Sequence, residues 1–217
     1  MRLAKSSETI AWICLLVSLL SAIGGLLSVV FYPNVWIILG CIAIILWCVF
    51  VIWTFRDPKR EIVIDPTKLL SPADGIVTDI EKKENGFSLV IRMSPFDVHM
   101  NRSPVDGTVK EVTFKKGAHW PVYFTKYAKR NQRNAIVIVN EEKNITTKVV
   151  QVSGIYARRT IAYVKPGDKV KQGEVIGTIR FGSITYLEII STKKYKLVVE
   201  PNSSVRAGIT ILAEETE

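Results

Sequence analysis

The N-terminal part of the chain is an almost unbroken apolar run. Residues 10–53 contain no charged side chain, and their only interruption is a Tyr-Pro-Asn turn at residues 32–34. Residues 10–31 are long enough to cross a hydrocarbon core of about 30 Å, and residues 35–53 are just long enough. The pattern predicts a two-helix transmembrane hairpin, with residues 1–53 as an N-terminal membrane anchor.

From residue 54 onward, apolar positions fall into short runs that alternate with polar positions or are rich in β-branched side chains. Such runs, separated by turn residues, are typical of β-strands. They occur at residues 75–80, 88–93, 108–114, 135–140, 146–152, 161–164, 175–179 and 195–199. We therefore expect residues 54–217 to form a mainly β soluble domain.

Two turn patterns indicate the kind of β fold. The segment SPADG at residues 71–75 recurs as SPVDG at residues 103–107, and both are typical of turns that open hairpins. The stretch KPGDKV at residues 165–170, followed by QGEVIG at residues 172–177, resembles the hairpins of lipoyl and biotinyl carrier domains. The patterns predict a barrel-sandwich-like fold with lipoyl-type hairpins. A carrier role is disfavoured, because no recognisable attachment motif is present.

Basic residues flank the apolar run on both sides. Arg2 and Lys5 precede it, and Arg56, Lys59 and Arg60 follow it. By the positive-inside rule both flanks are cytoplasmic, so we expect a cell-membrane protein with its soluble domain on the cytoplasmic side. A signal peptide is the competing interpretation, but the apolar stretch is too long, lacks a convincing cleavage site and is followed at once by a second apolar stretch.

Cysteine usage and charge exclude several function classes. Cys14, Cys41 and Cys48 all lie in the apolar region, so the β domain has no disulfide or cysteine-ligated metal, and we expect no metal site. Residues 1–53 hold two basic residues and one acidic residue, which leaves 27 basic and 19 acidic residues, or about +8, in the remainder. This charge suits anionic lipid headgroups beside an anchor. A nucleic-acid partner is not expected, because no binding motif accompanies the charge; a merely basic surface is the other alternative.

Aromatic and basic side chains interleave between residues 120 and 133. This combination suits a membrane interface, where rings lie at the headgroup level and cations meet phosphates. The alternative is a partly helical loop whose rings pack on the domain's own core. The side chains are Trp120, Tyr123, Phe124 and Tyr127 with Lys126, Lys129, Arg130 and Arg133.

The most specific motif is Phe181-Gly182-Ser183, and three further motifs precede it. They are FRDP at residues 55–58, SPADG at residues 71–75, and DVH at residues 97–99 followed by Asn101, Arg102 and Pro104. With these four ordered motifs the chain resembles the phosphatidylserine decarboxylase family over residues 57–187. The compact size and the double span are most similar to the short bacterial and archaeal branch, whose archaeal members act on archaetidylserine.

The resemblance implies that the chain cuts itself between Gly182 and Ser183. The Ser183 hydroxyl would attack the Gly182 carbonyl, and elimination and hydrolysis would turn Ser183 into an N-terminal pyruvoyl group. The product would be a heterodimer of residues 1–182 and 183–217. Its covalent pyruvoyl cofactor would form a Schiff base with the headgroup amine and accept the electron pair released with CO2. The implied reaction is decarboxylation of phosphatidylserine or archaetidylserine in the membrane to the ethanolamine lipid.

The reaction also calls for a general acid, and His99 and His119 are the two histidines of the chain. His99 lies inside the family-like motif and is the expected catalytic residue, with a structural histidine as the alternative. We expect His119 to be interfacial or structural. Asp74 resembles the family's catalytic aspartate, which orients the base, although it could instead cap its own turn. Asp97 is a second candidate and a possible substrate-binding residue.

Two departures from the family pattern affect these expectations. Some relatives carry a second histidine three residues after the first and assign the self-cleavage base to it, whereas this chain has Arg102. Either His99 serves both steps or the base lies elsewhere. Arg102 is a candidate for holding the substrate phosphate or carboxylate, because a guanidinium suits such anions. After Ser183 the chain reads ITY at residues 184–186, where relatives often have Arg or Cys and then Val-Asp, which affects the pocket more than the cleavage.

The alternative to an enzyme is a membrane-anchored β-barrel that does not cleave itself and acts as a scaffold or adaptor. The presence of both Gly182-Ser183 and His99 favours the enzyme, since a degenerate member would be free to lose them. The sequence favours neither an ester-linked nor an ether-linked lipid substrate, because only the headgroup takes part in the reaction. An exposed β edge would allow two copies to pair, so a homo-oligomer stays open.

Overall fold

A computed structural model describes residues 2–3, 8–31, 34–62, 64–121, 130–155, 159–179 and 183–216. The chain forms two compact units, Met1–Lys59 and Arg60–Glu217.

The first unit is built on two apolar helices, α1 (Glu8–Phe31) and α2 (Val35–Thr54). Asn34 caps the start of α2, its side-chain oxygen accepting from the Trp36 N–H at 3.0 Å. Their mean hydropathies are 2.5 and 3.0, and both are long enough to cross a membrane. The predicted pair of apolar helices is confirmed.

The strands are short and antiparallel. They are β1 (Arg2–Leu3), β2 (Arg56–Asp57), β3 (Lys68–Leu70), β4 (Gly75–Lys83), β5 (Gly86–Met93), β6 (Met100–Arg102), β7 (Gly107–Lys115), β8 (Arg133–Asn140), β9 (Ile145–Val152), β10 (Thr160–Ala162), β11 (Lys169–Val170), β12 (Val175–Ile179), β13 (Ser183–Ser191), β14 (Tyr195–Leu197), β15 (Ser204–Val205) and β16 (Ile211–Glu215). Within the described residues, β1 pairs with β2 in the first unit, and the other strands belong to the second.

Three sheets make up the second unit as described. Eight strands form a curled sheet in the order β11-β7-β8-β9-β13-β5-β4-β15, and two three-stranded sheets follow the orders β10-β12-β6 and β14-β16-β3. In the large sheet β4–β5, β7–β8 and β8–β9 pair as hairpins, whereas β13 is inserted between β9 and β5. β11 and β15 pair with β7 and β4 at the two edges. The mainly β fold expected from the sequence is confirmed.

One cluster of buried apolar side chains joins these three sheets. It includes Ile136 and Leu187 from the large sheet, Ile176 from β12, and Leu69 and Leu212 from the third sheet, each at most 1 % exposed. Burying such a side chain contributes roughly 1.5–3 kcal/mol. The alternation of buried and less buried positions along β8 explains why its pattern predicted a strand.

Strand β13 departs from this one-sided pattern. Leu187 and Ile189 join the main cluster, whereas Ile184 packs on the opposite face with Val90 and Val152. That opposite face is covered only near Ile184, since Ile190 is 49 % exposed, but it still carries apolar side chains. Apolar side chains on both faces of a strand remove the polar alternation. That is why the pattern does not predict a strand at residues 183–191. Each of the eight predicted runs overlaps an observed strand, but the runs at 161–164 and 195–199 extend two residues past β10 and β14.

The two SPxDG segments occupy equivalent positions. The Ser71 N–H donates to the Thr210 carbonyl, and the Ser71 carbonyl accepts from the Gly208 N–H; Ser103 makes the same pair of bonds with Glu174 and Gly173, all at 2.8 Å. Each serine hydroxyl also donates to a carbonyl two residues later in its own turn. The sequence echo is therefore a structural repeat that opens β4 and β7.

Candidate active site

Ser183 begins β13 and is fully buried. It lies opposite Met93 of β5, and its hydroxyl donates to the Met93 sulfur across 3.4 Å. The Thr185 hydroxyl donates to the same sulfur across 3.7 Å. A thioether is a weak acceptor, so this contact holds the Ser183 hydroxyl only weakly. Gly182, the expected partner in cleavage, is one of residues 180–182, which lie outside the described residues.

A buried polar cluster adjoins Ser183 on the same face of the sheet. The Asn101 side-chain N–H donates to Thr185 Oγ1 at 3.1 Å and to the Pro72 carbonyl at 3.2 Å. The Gln151 side-chain N–H donates to Asn101 Oδ1 at 2.9 Å. Asn101, Gln151 and Thr185 are all 0 % exposed. These bonds connect β6 of the small sheet to β9 and β13 of the large one.

His99 is 1 % exposed and immediately precedes β6. Its carbonyl accepts from the Ile179 N–H at 3.0 Å and from the Thr178 hydroxyl at 2.9 Å. β12 ends at Ile179, four residues before Ser183. The two contacts therefore fix His99 beside the end of the strand that leads into Ser183.

Asp74 is 8 % exposed and forms an ion pair that the sequence did not predict. Its two carboxylate oxygens accept from the two terminal nitrogens of Arg60, each at 2.7 Å. Oδ1 also accepts from the Ala207 N–H at 2.8 Å, and Arg60 donates to the Ala207 carbonyl at 2.6 Å. Among the described residues, Asp74 thus accepts hydrogen bonds from Arg60 and Ala207, and neither from His99 nor from its own turn.

Asp97 and Arg102 lie on either side of the His99 segment. Asp97 accepts from the Ser94 N–H at 2.6 Å and so caps the turn between β5 and β6. Arg102 is 7 % exposed and donates to the Gly173 carbonyl at 3.0 Å. Both side chains make local hydrogen bonds, and among the described residues no hydrogen bond joins either of them to Ser183.

His119, expected to be interfacial or structural, lies in a polar cluster with two buried residues. Its Nδ1 is 3.1 Å from the hydroxyl of Ser153, which is 0 % exposed. Asn131, 1 % exposed, donates to the carbonyls of Ser153 and Trp120 and accepts from the Trp120 N–H. The sequence reasoning missed Ser153, Asn131 and Arg60. The only sequence signal for these three residues is that they are polar, and their contacts form only when the chain folds.

The phenol of Tyr186 is the titratable side chain closest to Ser183 along β13. Burial raises the pKa of Tyr186, and the negative charge of Asp79 raises it further, against an opposing effect of Arg133. A phenol with a raised pKa stays protonated at neutral pH, so Tyr186 is a poor candidate for a base.

Comparison with known proteins identifies the family. A family model described as phosphatidylserine decarboxylase matches residues 47–213, a range that includes Asp74, His99 and Ser183. The chain belongs to the phosphatidylserine decarboxylase family. The resemblance drawn from the four motifs is thereby confirmed, and so is the expectation of a carboxy-lyase.

Individual relatives of the phosphatidylserine decarboxylase family match almost end to end. The phosphatidylserine decarboxylase proenzyme of Carboxydothermus hydrogenoformans is 34 % identical over 208 residues, covering 93 % of this chain and 92 % of the relative. A protein of Methanosarcina mazei, provisionally named archaetidylserine decarboxylase proenzyme, is 36 % identical over 216 residues, covering 97 % and 96 %. The phosphatidylserine decarboxylase proenzyme of Solibacter usitatus is 36 % identical over 180 residues, covering 82 % and 85 %.

Proposed function

We propose that the protein is a self-processing, pyruvoyl-dependent decarboxylase that converts phosphatidylserine or archaetidylserine to the ethanolamine lipid and CO2. The observation that carries the proposal is that a fully buried Ser183 begins β13 directly after Gly182, while His99 is fixed beside the end of β12. The near full-length relatives, whose names specify these two lipids and a proenzyme, support it.

Self-cleavage uses only groups of the chain and water. A base removes the Ser183 Oγ proton, Oγ bonds to the Gly182 carbonyl carbon, and the peptide C–N bond breaks as a proton passes to the Ser183 nitrogen. Loss of the Ser183 α-proton then expels the Gly182 carboxylate and leaves dehydroalanine. Water hydrolyses its imine tautomer to a pyruvoyl group and ammonia. The products are chains 1–182 and 183–217, which together form the heterodimeric enzyme.

The surroundings of Ser183 fit a pyruvoyl group, which is small and uncharged. The contacts given for this position are the Met93 thioether and, two residues along β13, the Thr185 hydroxyl bonded to Asn101. A pyruvoyl group held there supplies a carbonyl that takes up the headgroup amine and accepts the electron pair released with CO2. His99 is the proposed general acid that returns a proton to the substrate α-carbon, because imidazole exchanges protons near neutral pH.

We assign Asp74 a positioning role. Its ion pair with Arg60 and its bond from Ala207 fix the turn that contains Pro72. The Pro72 carbonyl in turn accepts from the Arg102 N–H at 2.9 Å and from the Asn101 side chain. Asp74 therefore orients His99 indirectly, by holding the strand that follows it.

Arg102 and Asp97 remain proposed substrate-binding residues. A guanidinium is suited to the phosphate or carboxylate of the headgroup. Replacing Arg102 with Lys should therefore raise KM with little change in kcat, if Arg102 holds the anion. Unchanged steady-state kinetics would remove it from the site.

A lipid substrate agrees with the surface near Ser183. Exposed apolar side chains lie at the end of the large sheet where β13 begins: Phe96 (63 % exposed) follows β5, Trp120 (54 %) precedes β8, and Ile155 (47 %) follows β9. We propose that this rim meets the bilayer on the cytoplasmic side, and that α1 and α2 span it. Tyr123, Phe124 and Tyr127 of the aromatic-basic stretch lie outside the described residues.

The test is the intact mass of the purified full-length protein, with Ser183→Ala as the control. We expect the wild type to yield a 35-residue fragment, residues 183–217, whose N-terminus is blocked as pyruvoyl, and Ser183→Ala to remain whole. Cleaved protein should release CO2 from a serine-headgroup lipid. A wild-type chain that stays whole in membranes after prolonged incubation would instead support the scaffold alternative.

A further inference from the structure

We propose that His119, acting through the Ser153 hydroxyl, is the proton acceptor for self-cleavage at Ser183. The inference rests on the proposed function and supplies the base that the sequence left open. Arg102, at the position where some relatives carry the second histidine, donates instead to the Gly173 carbonyl. A guanidinium is in any case always protonated and cannot serve as a base.

The strand register brings Ser153 opposite Ser183. In the pairing of β9 with β13, Val152 lies opposite Ile184. Continuing this register by one residue pairs Ser153 with Ser183. The Ser153 N–H donates to the Gln132 carbonyl at 2.9 Å, so the backbone continues the ladder to β8 beyond the end of β9. Cβ atoms of directly opposed residues lie about 4.5–5.5 Å apart, close enough for two hydroxyls to meet.

The two serines also share a face of the sheet. Val152 and Ile184 pack together on the outer face, whereas Gln151 and Thr185 join the polar cluster around Asn101 on the inner face. Side chains alternate between faces along a strand. Ser153 and Ser183, each one residue further on, therefore both point to the inner face, and both are 0 % exposed.

His119 is held at Ser153 by backbone contacts on both sides. The neighbouring Ala118 exchanges hydrogen bonds with Arg130 and Gln132, each at 2.9 Å. On the other side Trp120 is bound through its N–H and its carbonyl to the Asn131 side chain, which also donates to the Ser153 carbonyl at 2.8 Å. These contacts hold the backbone on both sides of His119 close to Ser153.

In the proposed relay a proton passes from the Ser183 hydroxyl through the Ser153 hydroxyl to His119. The Ser183 hydroxyl, which donates to the Met93 sulfur in the structure, first rotates towards Ser153. Ser183 Oγ then gives its proton to Ser153 Oγ, while Ser153 gives its own proton to His119 Nδ1. The imidazolium later returns one proton by the same path, to the Ser183 nitrogen as the peptide bond breaks. His119 is exposed and Ser153 is buried, so the relay joins solvent to the buried Ser183.

The test follows the rate of self-cleavage of the full-length chain by gel and intact mass. General-base catalysis is worth about 10²–10⁴-fold, so His119→Asn and Ser153→Ala should each slow cleavage by at least about 100-fold. Asn keeps a hydrogen-bonding group at position 119 but cannot take a proton. Thr147→Val is the matched control. It removes a fully buried hydroxyl from β9, and that hydroxyl has no hydrogen-bond partner among the described residues. This variant should cleave at the wild-type rate.

Chemical rescue separates proton transfer from a structural role. Because His119 is exposed, added imidazole should restore cleavage in His119→Ala and should not do so in Ser153→Ala; rescue also shows that the variant is folded. Wild-type cleavage rates in His119→Asn or Ser153→Ala, or failure of imidazole to restore His119→Ala, would overturn the relay while leaving the proposed function intact. A wild-type chain that never cleaves overturns the proposed function and the relay with it.

Discussion

At the scale of single residues, Arg60 and Asp74 form a largely buried ion pair. Its side chains are 6 % and 12 % exposed. Both carboxylate oxygens are used, and two bonds to Ala207 complete the arrangement. Removing one partner of such a buried pair leaves the other charge without compensation.

We predict that Asp74→Asn lowers the free energy of unfolding by about 3–5 kcal/mol. The measurement is a denaturant midpoint of detergent-solubilised protein in the Ser183→Ala background, so that every chain is whole. Glu188→Gln is the matched control, because it breaks the more exposed Lys83–Glu188 pair, whose side chains are 39 % and 31 % exposed. That change should cost less than about 1 kcal/mol. Equal, small effects of the two variants would contradict the role given to Asp74.

The Asp65 carboxylate has a lowered pKa. Hydrogen bonds from the Thr67 hydroxyl and N–H, with Lys68 3.1 Å away, lower the pKa of Asp65 to about 2. Because the folded state holds the lower pKa, the carboxylate favours folding above the ordinary pKa of about 3.9, and this contribution is lost as the pH falls towards 2. We predict a carbon-13 NMR midpoint near 2 for Asp65, rising in Thr67→Val and staying low in Thr67→Ser.

At this scale the sequence singles out Ser183, His99 and Asp74 as candidates because each lies inside a motif. It could not find their neighbours. Arg60 is 14 residues from Asp74, and Ser153 is 34 residues from His119. Contacts of this kind are created only when strands pair, and no local pattern distinguishes a serine that ends a central strand from a serine in a turn.

At the scale of elements, β13 is a central strand of the eight-stranded sheet. It is hydrogen-bonded along its length to β5 on one side and β9 on the other. Leu187, at its centre, is 0 % exposed, whereas Ile190 on the same strand is 49 % exposed. Substitutions at these two positions therefore measure how much burial within one strand contributes to stability.

We predict that Leu187→Ala costs about 2–5 kcal/mol of folding free energy, because it leaves a cavity in the main core. Ile190→Ala is the control and should cost far less, since most of its side chain already meets water. Urea midpoints of both variants, again in the Ser183→Ala background, check this. A loss at Leu187 no larger than that at Ile190 would show that β13 is not a core strand.

Element prediction worked where apolar side chains lie on one face of a strand and failed where they lie on both. The alternation along β8 and β9 was visible in the sequence, and the turns that open β4 and β7 were visible as repeats. β13 was hidden by apolar side chains on both of its faces, and two-residue strands such as β11 and β15 are too short to show a period.

At the scale of the whole molecule, the two apolar helices set the orientation that we propose. A single cysteine at Glu142, in the turn after β8, reports on the side of the membrane that this surface meets. In a variant in which Cys14, Cys41 and Cys48 are replaced by Ser, Glu142→Cys should react with a membrane-impermeant maleimide only after the host cells are lysed. Labelling of intact cells would place the β domain outside and contradict the positive-inside argument.

The position of β13 also bears on how the processed protein would survive unfolding. The segment 183–216 contributes strands to both the eight-stranded sheet and the sheet β14-β16-β3, so the two products of the proposed cut would be interlaced and should not separate on dilution. The uncut chain folds as one molecule, with its segments tethered at high effective concentration. Once the chain is cut, refolding from denaturant would require two separate molecules to meet. The processed protein would therefore refold far less readily than the uncut chain, and its fold would in practice form only once, before the cut.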